Sequence, residues 1–527
     1  MNRATSRLAI LFDNPILTRF QRSLLRPAQL VPMLVVAATL TLLLIWFALS
    51  MNQLYNGNAL ALLLALYLIV LGFVGSSEIS NAVSGARASG MFDFHRISPL
   101  RPLDVATGFV FGPVLREYLI CAAALPVALG LGHLSPIGIA GVLQLLAVVL
   151  LASLLLHGLT LLGVMVAKKP KPAAQGAGAG AGIVVFFIFC GPLGVMMSGF
   201  RPLLINDQLP GVPFFGLQIP VVIAALIAVL PMLGFILLAA TRKIDSDRKP
   251  GLSKPEAIAC LATFSFQVLG FSWAWTYQRG VVLFVLYALV IMGMILSLPT
   301  APVLGLYLKG LRRAQHAGKR RAAWWTDPAV NRIAACALGA VVFLVSTLVW
   351  EIGEGRQRMA MGRDSYSLTI ATGVFLLIGF ALGYQYCLLR WPRRGEAFFG
   401  LILFLSWGVP LLAGILLLAS TQGGAAGRFV IAMCPWVGMT TATLTDQPSG
   451  TQWERLAAIG PALALACVFW GLLEGRLRRM DRQYGIPHLP EADPFRLGIS
   501  DSENLERTDG LIGAEPEPVT PSRQPER

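Results

Sequence analysis

Long apolar runs separated by short polar or basic connections recur along nearly the whole chain. A helix needs about twenty residues to cross a hydrocarbon core roughly 30 Å thick, so each such run is a candidate span. The predicted spans are 30–50, 59–75, 113–132, 139–167, 183–200, 219–240, 257–275, 281–308, 333–350, 366–389, 397–420 and 456–473. A shorter run, Phe429 to Leu444, is interrupted by Cys434-Pro435 and is expected to be a re-entrant or interfacial helix. The pattern therefore predicts an all-α, polytopic integral membrane protein with about twelve transmembrane helices.

Four segments do not fit the spanning pattern. Residues 1–29 place Leu8, Leu11, Phe12, Ile16, Phe20, Leu24 and Leu25 near helical spacing among arginines, which predicts a helix on the membrane surface. Residues 76–112 mix apolar and charged positions and read as an inward-facing loop. Gly176 to Gly182 alternates glycine and alanine and is expected to be a flexible joint, and the tail 476–527, beyond Arg482 above all, is rich in proline and acid and is expected to be disordered. Division near Thr241 leaves about six spans in 30–240 and six in 241–475, each half with an inward loop after its second span. That spacing suggests two six-helix halves.

Composition excludes a water-soluble surface: 56% of the 527 residues are hydrophobic and 13% charged, against about 25% charged in soluble domains. The net charge of +15 does not indicate nucleic acid, because the basic residues sit in short connections: Lys168 to Lys171, Arg242 to Lys254, Lys309 to Arg321, Arg390 to Arg394, and Arg476 to Arg479. These loops predict that both termini face the cytoplasm, with Arg356, Arg358 and Arg363 as exceptions in an outward loop. A plasma membrane, such as a bacterial inner membrane, is the expected location. No cleavable signal peptide is expected in residues 1–29, which are arginine-rich and lack a short apolar core. The seven cysteines lie mostly in apolar stretches without a C-x-x-C pair and read as small hydrophobes.

Catalytic signatures are missing. Gly318-Lys319 runs on into Arg320 and lacks the hydroxyl residue that a phosphate-binding loop needs for magnesium. The five histidines are too dispersed for a zinc site, so the chain is read as a non-enzyme with no cofactor or metal of its own. Charge inside the spans is scarce, with Arg116-Glu117 at the start of the third as the exception. The pair is expected in the first turn or two, as an interfacial anchor or with a role in substrate access, and its side chains are expected to diverge by about 100°. His157 reads as an interhelical hydrogen-bonding residue.

Residues 76–108 carry a family resemblance. Glu78, then Gly90, Met91, Phe92 and Asp93, then Ser98, Pro99 and Leu100 resemble the segment between the second and third spans of ABC-2 type transporter permeases. There an acidic residue leaves the second helix, and a glycine-led stretch ending in Ser/Thr-Pro-Leu precedes an amphipathic helix. Asn14-Pro15-Ile16-Leu17-Thr18-Arg19 with Arg22 and Arg26 similarly resembles the opening of the family's surface helix. Met91, His95-Arg96, Phe20 and Thr107-Gly108-Phe109 depart from the family pattern, and the resemblance covers about the first 130 residues.

The resemblance implies an exporter permease whose translocation pathway is driven by a separate nucleotide-binding ATPase subunit, which would carry ATP and magnesium. One chain would hold both permease halves or would work as a homodimer or heterodimer with another permease. Coupling to the ATPase would fall on Glu78, Gly90, Met91, Phe92, Asp93, Arg96, Ile97, Ser98, Pro99 and Leu100. A short helix ending at Ser98-Pro99 would offer Met91, Phe92, Ile97 and Leu100 as apolar contacts and Asp93 and Arg96 as charges. The leading alternative is an ion-coupled secondary transporter of about twelve helices, which the scarcity of membrane carboxylates disfavours. A membrane enzyme is a further alternative and lacks clustered acids or histidines on an outer loop.

Overall fold

The computed structural model describes residues 14–26, scattered positions between 28 and 46, 58–135, 137–166, 211–246, 249–275, 279–319, 321–356, 363–392, 394–419, 424–434, 437 and 452–484. Asn14 accepts hydrogen bonds from the Ile16 and Leu17 amides and, with Pro15 at the first position, starts α1, Pro15–Leu24. α2, Asn58–Tyr67, passes through a π segment, Leu68–Val74, into α3, Gly75–Ala88. Next come α4, Met91–Ile97; α5, Pro102–Phe111; α6, Leu115–Leu134; α7, Gly138–Val166; and α8, Val221–Asp245. α9, Lys254–Ser272, begins with a Ser253–Glu256 capping box. α10 is Arg279–Thr300, α11 Leu304–His316, α12 Arg332–Arg356 and α13 Arg363–Arg390. α14, Gly395–Leu403, continues through a second π segment, Phe404–Gly408, into α15, Val409–Ala419. α16, Gly424–Ala432, and α17, Gln452–Tyr484, complete the order, and one hairpin of β1, Val212–Phe214, and β2, Leu217–Ile219, precedes α8.

Among the described residues, nine helices are long and apolar enough to cross a membrane: α2 joined to α3, α6, α7, α8, α10, α12, α13, α14 joined to α15, and α17. The protein is an all-α, multi-pass membrane protein. α9, whose first turn carries Lys254 and Glu256, packs within the same core. The span expected at 30–50 is described only at scattered helical positions; the span at 183–200, the joint at 176–182 and the tail beyond Tyr484 lie outside the described residues.

Two boundaries differ from expectation. The run 281–308 is not one span, because α10 stops at Thr300 and the chain restarts as the amphipathic α11. Pro302 cannot donate the next helical hydrogen bond and disfavours helix at Ala301. Residues 76–88, expected in a loop, continue the second span as helix, since no strong breaker intervenes before Gly90.

One apolar core packs α7 and α8 with α9, α10, α12 and α13, so it runs unbroken past Thr241. A smaller core joins α1, α3, α4 and α5 to the ends of α7 and α8. Polar contacts mark one face of the bundle. Arg96 bonds the end of α8, Arg242 of α8 pairs with Glu256 of α9 at 3.0 Å, and Lys254 donates to the Thr326 carbonyl at 2.7 Å. Arg321 pairs with Asp481 of α17 at 2.7 Å, and Arg332 pairs with Glu474. This basic face carries α1, α4, α5, α11 and the ends of α13 and α17. On the opposite face, Phe214 and Phe215 of the hairpin cluster with Phe266, Phe271 and Trp273.

Candidate functional site

The site is built on the turn from α3 to α4. Gly90 adopts φ 70°, a left-handed conformation that favours glycine, and reverses the chain. α4 then runs until Ser98, whose ψ of 158° is the extended state imposed on a residue before proline. The short helix ending at Ser98-Pro99 forms as the sequence suggests.

Its faces are not those expected. Phe92, assigned to a docking surface, is 4% exposed and stacks on Phe109 of α5 with ring centroids 5.3 Å apart. The reason is helical phase: Phe92 shares a face with His95, and that face meets α5. The exposed apolar residues of α4 are Phe94 at 64% and Ile97 at 83%. Met91 and Leu100 are half-buried against the smaller core, and Met91 sulfur lies 3.1 Å from the Arg19 guanidinium of α1. Pro99 and Asp93 are exposed, and the Ser98 hydroxyl donates to the His95 carbonyl.

Arg96 does not present a free charge outward. Its guanidinium pairs with Asp93 at 2.7 Å and donates from Nε to the Ile244 carbonyl at 3.0 Å, with Lys243 carbonyl at 3.5 Å. Those carbonyls end α8, where helical acceptors lack partners and the helix dipole favours a cation. Arg87 of α3 likewise donates to the Val164 carbonyl in the last turn of α7. α4 and the end of α3 are thus fastened to two spans. α1 holds them from the side: Asn14 Nδ2 donates to the Asp104 carbonyl of α5, and a Cβ at Gly108 would sit 2.8 Å from Ile16.

His95 is buried, and neither ring nitrogen has a hydrogen-bond partner among the described residues. Burial, and secondly the positive charge of Arg19, push its pKa below the ordinary value.

The structure brings together two groups of residues that the sequence kept apart. Arg116 NH2 lies 3.2 Å from Glu78 Oε1 on α3 and 3.0 Å from Glu117 Oε1. The expectation that adjacent Arg116 and Glu117 would diverge is corrected: the long guanidinium arm folds back across the first turn of α6 and bonds Glu117 through Nε as well, at 3.2 Å. Glu117 is 1% exposed, and its Oε2 has no hydrogen-bond partner among the described residues. Two carboxylates therefore share one guanidinium between the first turns of α3 and α6.

One turn farther in, His157 of α7 sits fully buried with Nε2 2.7 Å from the Leu71 carbonyl in the π segment, and Tyr118 hydroxyl lies 3.5 Å from Nδ1. The carbonyl can only accept, so Nε2 carries the proton and Nδ1 accepts from Tyr118. His157 is an interhelical bond, as expected. The π turn, Tyr118, Arg87 and Phe94 were not anticipated; of these only Phe94 left a trace in sequence, through its helical offset from Phe92.

No set of histidine, cysteine, aspartate and glutamate side chains suited to a metal occurs among the described residues. Comparison of the chain with protein-family models, with curated proteins and with solved structures finds no match.

Proposed function

We propose that this chain is the membrane-spanning permease subunit of an ABC-2 type exporter, driven by an ATPase on a separate chain that carries ATP and magnesium. The basic face is then cytoplasmic, in keeping with the bias of lysine and arginine toward that side. The observation that supports the reading best is α4. It is a short helix after the second span that leaves Phe94 and Ile97 uncovered while Arg96 binds the end of α8. Large apolar side chains exposed beyond the membrane suit a partner protein, and a fastened helix suits the transfer of a push to the spans.

The test is capture of the ATPase by tagged full-length protein from its native membranes, with the captured subunit identified by its own ATP hydrolysis. Phe94→Glu and Ile97→Glu should each weaken capture by about thirtyfold, the effect of losing an interface hot spot, and leave insertion unchanged. Full capture and transport by both variants would refute the reading.

A second reading has one observation in its favour. Glu117, buried in the Glu78–Arg116–Glu117 cluster, is the kind of membrane carboxylate that ion-coupled transporters use. Uptake into inverted vesicles that survives ATP depletion but collapses with the proton gradient would select that reading instead.

A further inference from the structure

Several arginines of the basic face spend their charge within the protein. Arg96, Arg116, Arg242, Arg321 and Arg332 each pair with a carboxylate of the chain. α11 is different. It turns Tyr307, Leu311 and Ala314 inward, where Tyr307 hydroxyl lies 3.4 Å from Asp481 and Pro328 covers Gly310. Its outward side carries Lys309, Arg312 and Arg313, all exposed and none paired with a carboxylate among the described residues.

Two further features place this cationic side at the membrane boundary. α11 is 13 residues long, about 20 Å, and is held between the ends of two spans, α10 and α12, on the same face. Val303, which caps the start of α11, is 53% exposed, and Trp325, in the connection from α11 to α12, is 56% exposed. Exposed tryptophan is typical of the headgroup level of a bilayer. An acidic soluble protein would answer the charges, but a helix held between the ends of two spans lies at the level of the lipid headgroups, and a free anion covers no apolar group. A lipid does both: its phosphate faces the cations while its glycerol and acyl region covers Val303 and Trp325.

We propose that the outward side of α11 is a binding surface for the phosphate headgroups of anionic phospholipids. The inference is independent of the exporter reading, since it concerns the protein's contact with its own leaflet. Anionic lipids are concentrated in the cytoplasmic leaflet, and each lysine or arginine at the surface contributes about a fivefold preference for them.

The experiment titrates phosphatidylglycerol, with phosphatidylcholine as control, into the full-length protein in neutral detergent and reads bound lipid by native mass spectrometry. Wild type should bind phosphatidylglycerol preferentially. Lys309→Gln/Arg312→Gln/Arg313→Gln should lose on the order of 100-fold in that affinity while binding phosphatidylcholine as before. Lys309→Arg/Arg312→Lys/Arg313→Lys should retain the preference, and both variants should elute as wild type because the three positions are exposed. Equal phosphatidylglycerol affinity in wild type and the glutamine variant would overturn the proposal. So would displacement of the lipid by equimolar inorganic phosphate, which would assign the surface to a free anion. Carbodiimide coupling of Lys309 to a protein carboxylate in phosphatidylglycerol-containing membranes would overturn it in favour of an acidic protein segment.

Discussion

Replacing Arg116 with methionine keeps most of the side-chain volume and removes the guanidinium that, among the described residues, bonds Glu78 and Glu117. The two carboxylates suffer unequally. Glu78 is about one-third exposed, so water screens its loss. Glu117 is buried, and breaking a buried pair from one side typically costs about 3–5 kcal/mol. The cost has a ceiling, because a stranded carboxylate can bind a proton. At pH 7 neutralising a carboxyl of ordinary pKa near 4.3 costs about 3.7 kcal/mol, and at pH 5.5 about 1.6 kcal/mol. The deficit of Arg116→Met relative to wild type should therefore be near that ceiling at pH 7 and shrink by about half at pH 5.5. Glu117→Gln placed on top should relieve most of it at pH 7, since replacing both partners removes the uncompensated charge.

The assay is the half-life of monodisperse protein at a fixed elevated temperature in one detergent, measured at both pH values. A rate is the appropriate quantity because large membrane proteins rarely unfold reversibly. A deficit equal at pH 7 and 5.5, or unrelieved by Glu117→Gln, would mean that Arg116 acts through packing and that the charge argument is wrong.

Phe92→Ala should behave as a core lesion, costing about 3–5 kcal/mol and lowering the yield of folded protein, since Phe92 stacks on buried Phe109; normal expression with selective loss of a partner would contradict this. His95 has a folded pKa below its ordinary value of 6.5. The stability it contributes is present above about pH 6.5 and is lost as pH falls through the folded pKa. Hydrogen exchange in Met91–Ile97, corrected for intrinsic rates, should accelerate between pH 7.5 and 5.5 in wild type but not in His95→Phe. Arg96→Met should cost about 1.5–3 kcal/mol for a charged hydrogen bond and, on the exporter reading, abolish transport while partner capture persists; capture lost together with transport would place Arg96 in the interface instead.

What the sequence reveals here follows from how local the cause is. Spans are legible because a run of apolar residues must match bilayer thickness whatever its neighbours do. Their ends are less so: polar Ser76, Glu78 and Asn81 imitate a loop although helix continues to Ala88, and the apolar run through Leu308 conceals the break after Thr300. In α4 the helical period separates Phe92 and His95 from Phe94 and Ile97, but which pair turns inward is decided by Phe109, a residue of another helix. The Glu78–Arg116 contact joins positions 38 residues apart across a glycine turn and two helices, and no local rule supplies that distance.

The same contacts define what a force applied to α4 would do. Phe92 packs into a core shared with Val105, Phe109, Met165 and Ile244, so α4 has no soft layer beneath it in which to slide. Its polar attachment, through Arg96, ends on the final turn of α8, and that of the adjoining α3, through Arg87, ends on the final turn of α7; those carbonyls have no helical partner to return to if either arginine withdraws. Moving α4 alone would therefore break the Arg96 hydrogen bonds and open the Phe92–Phe109 stack together, whereas moving it with α3, α5, α7 and α8 breaks neither. The second course is cheaper by several kcal/mol on the magnitudes of such contacts. Because α7 and α8 also belong to the large core with α9, α10, α12 and α13, a displacement that begins at Phe94 and Ile97 is delivered to spans on both sides of Thr241.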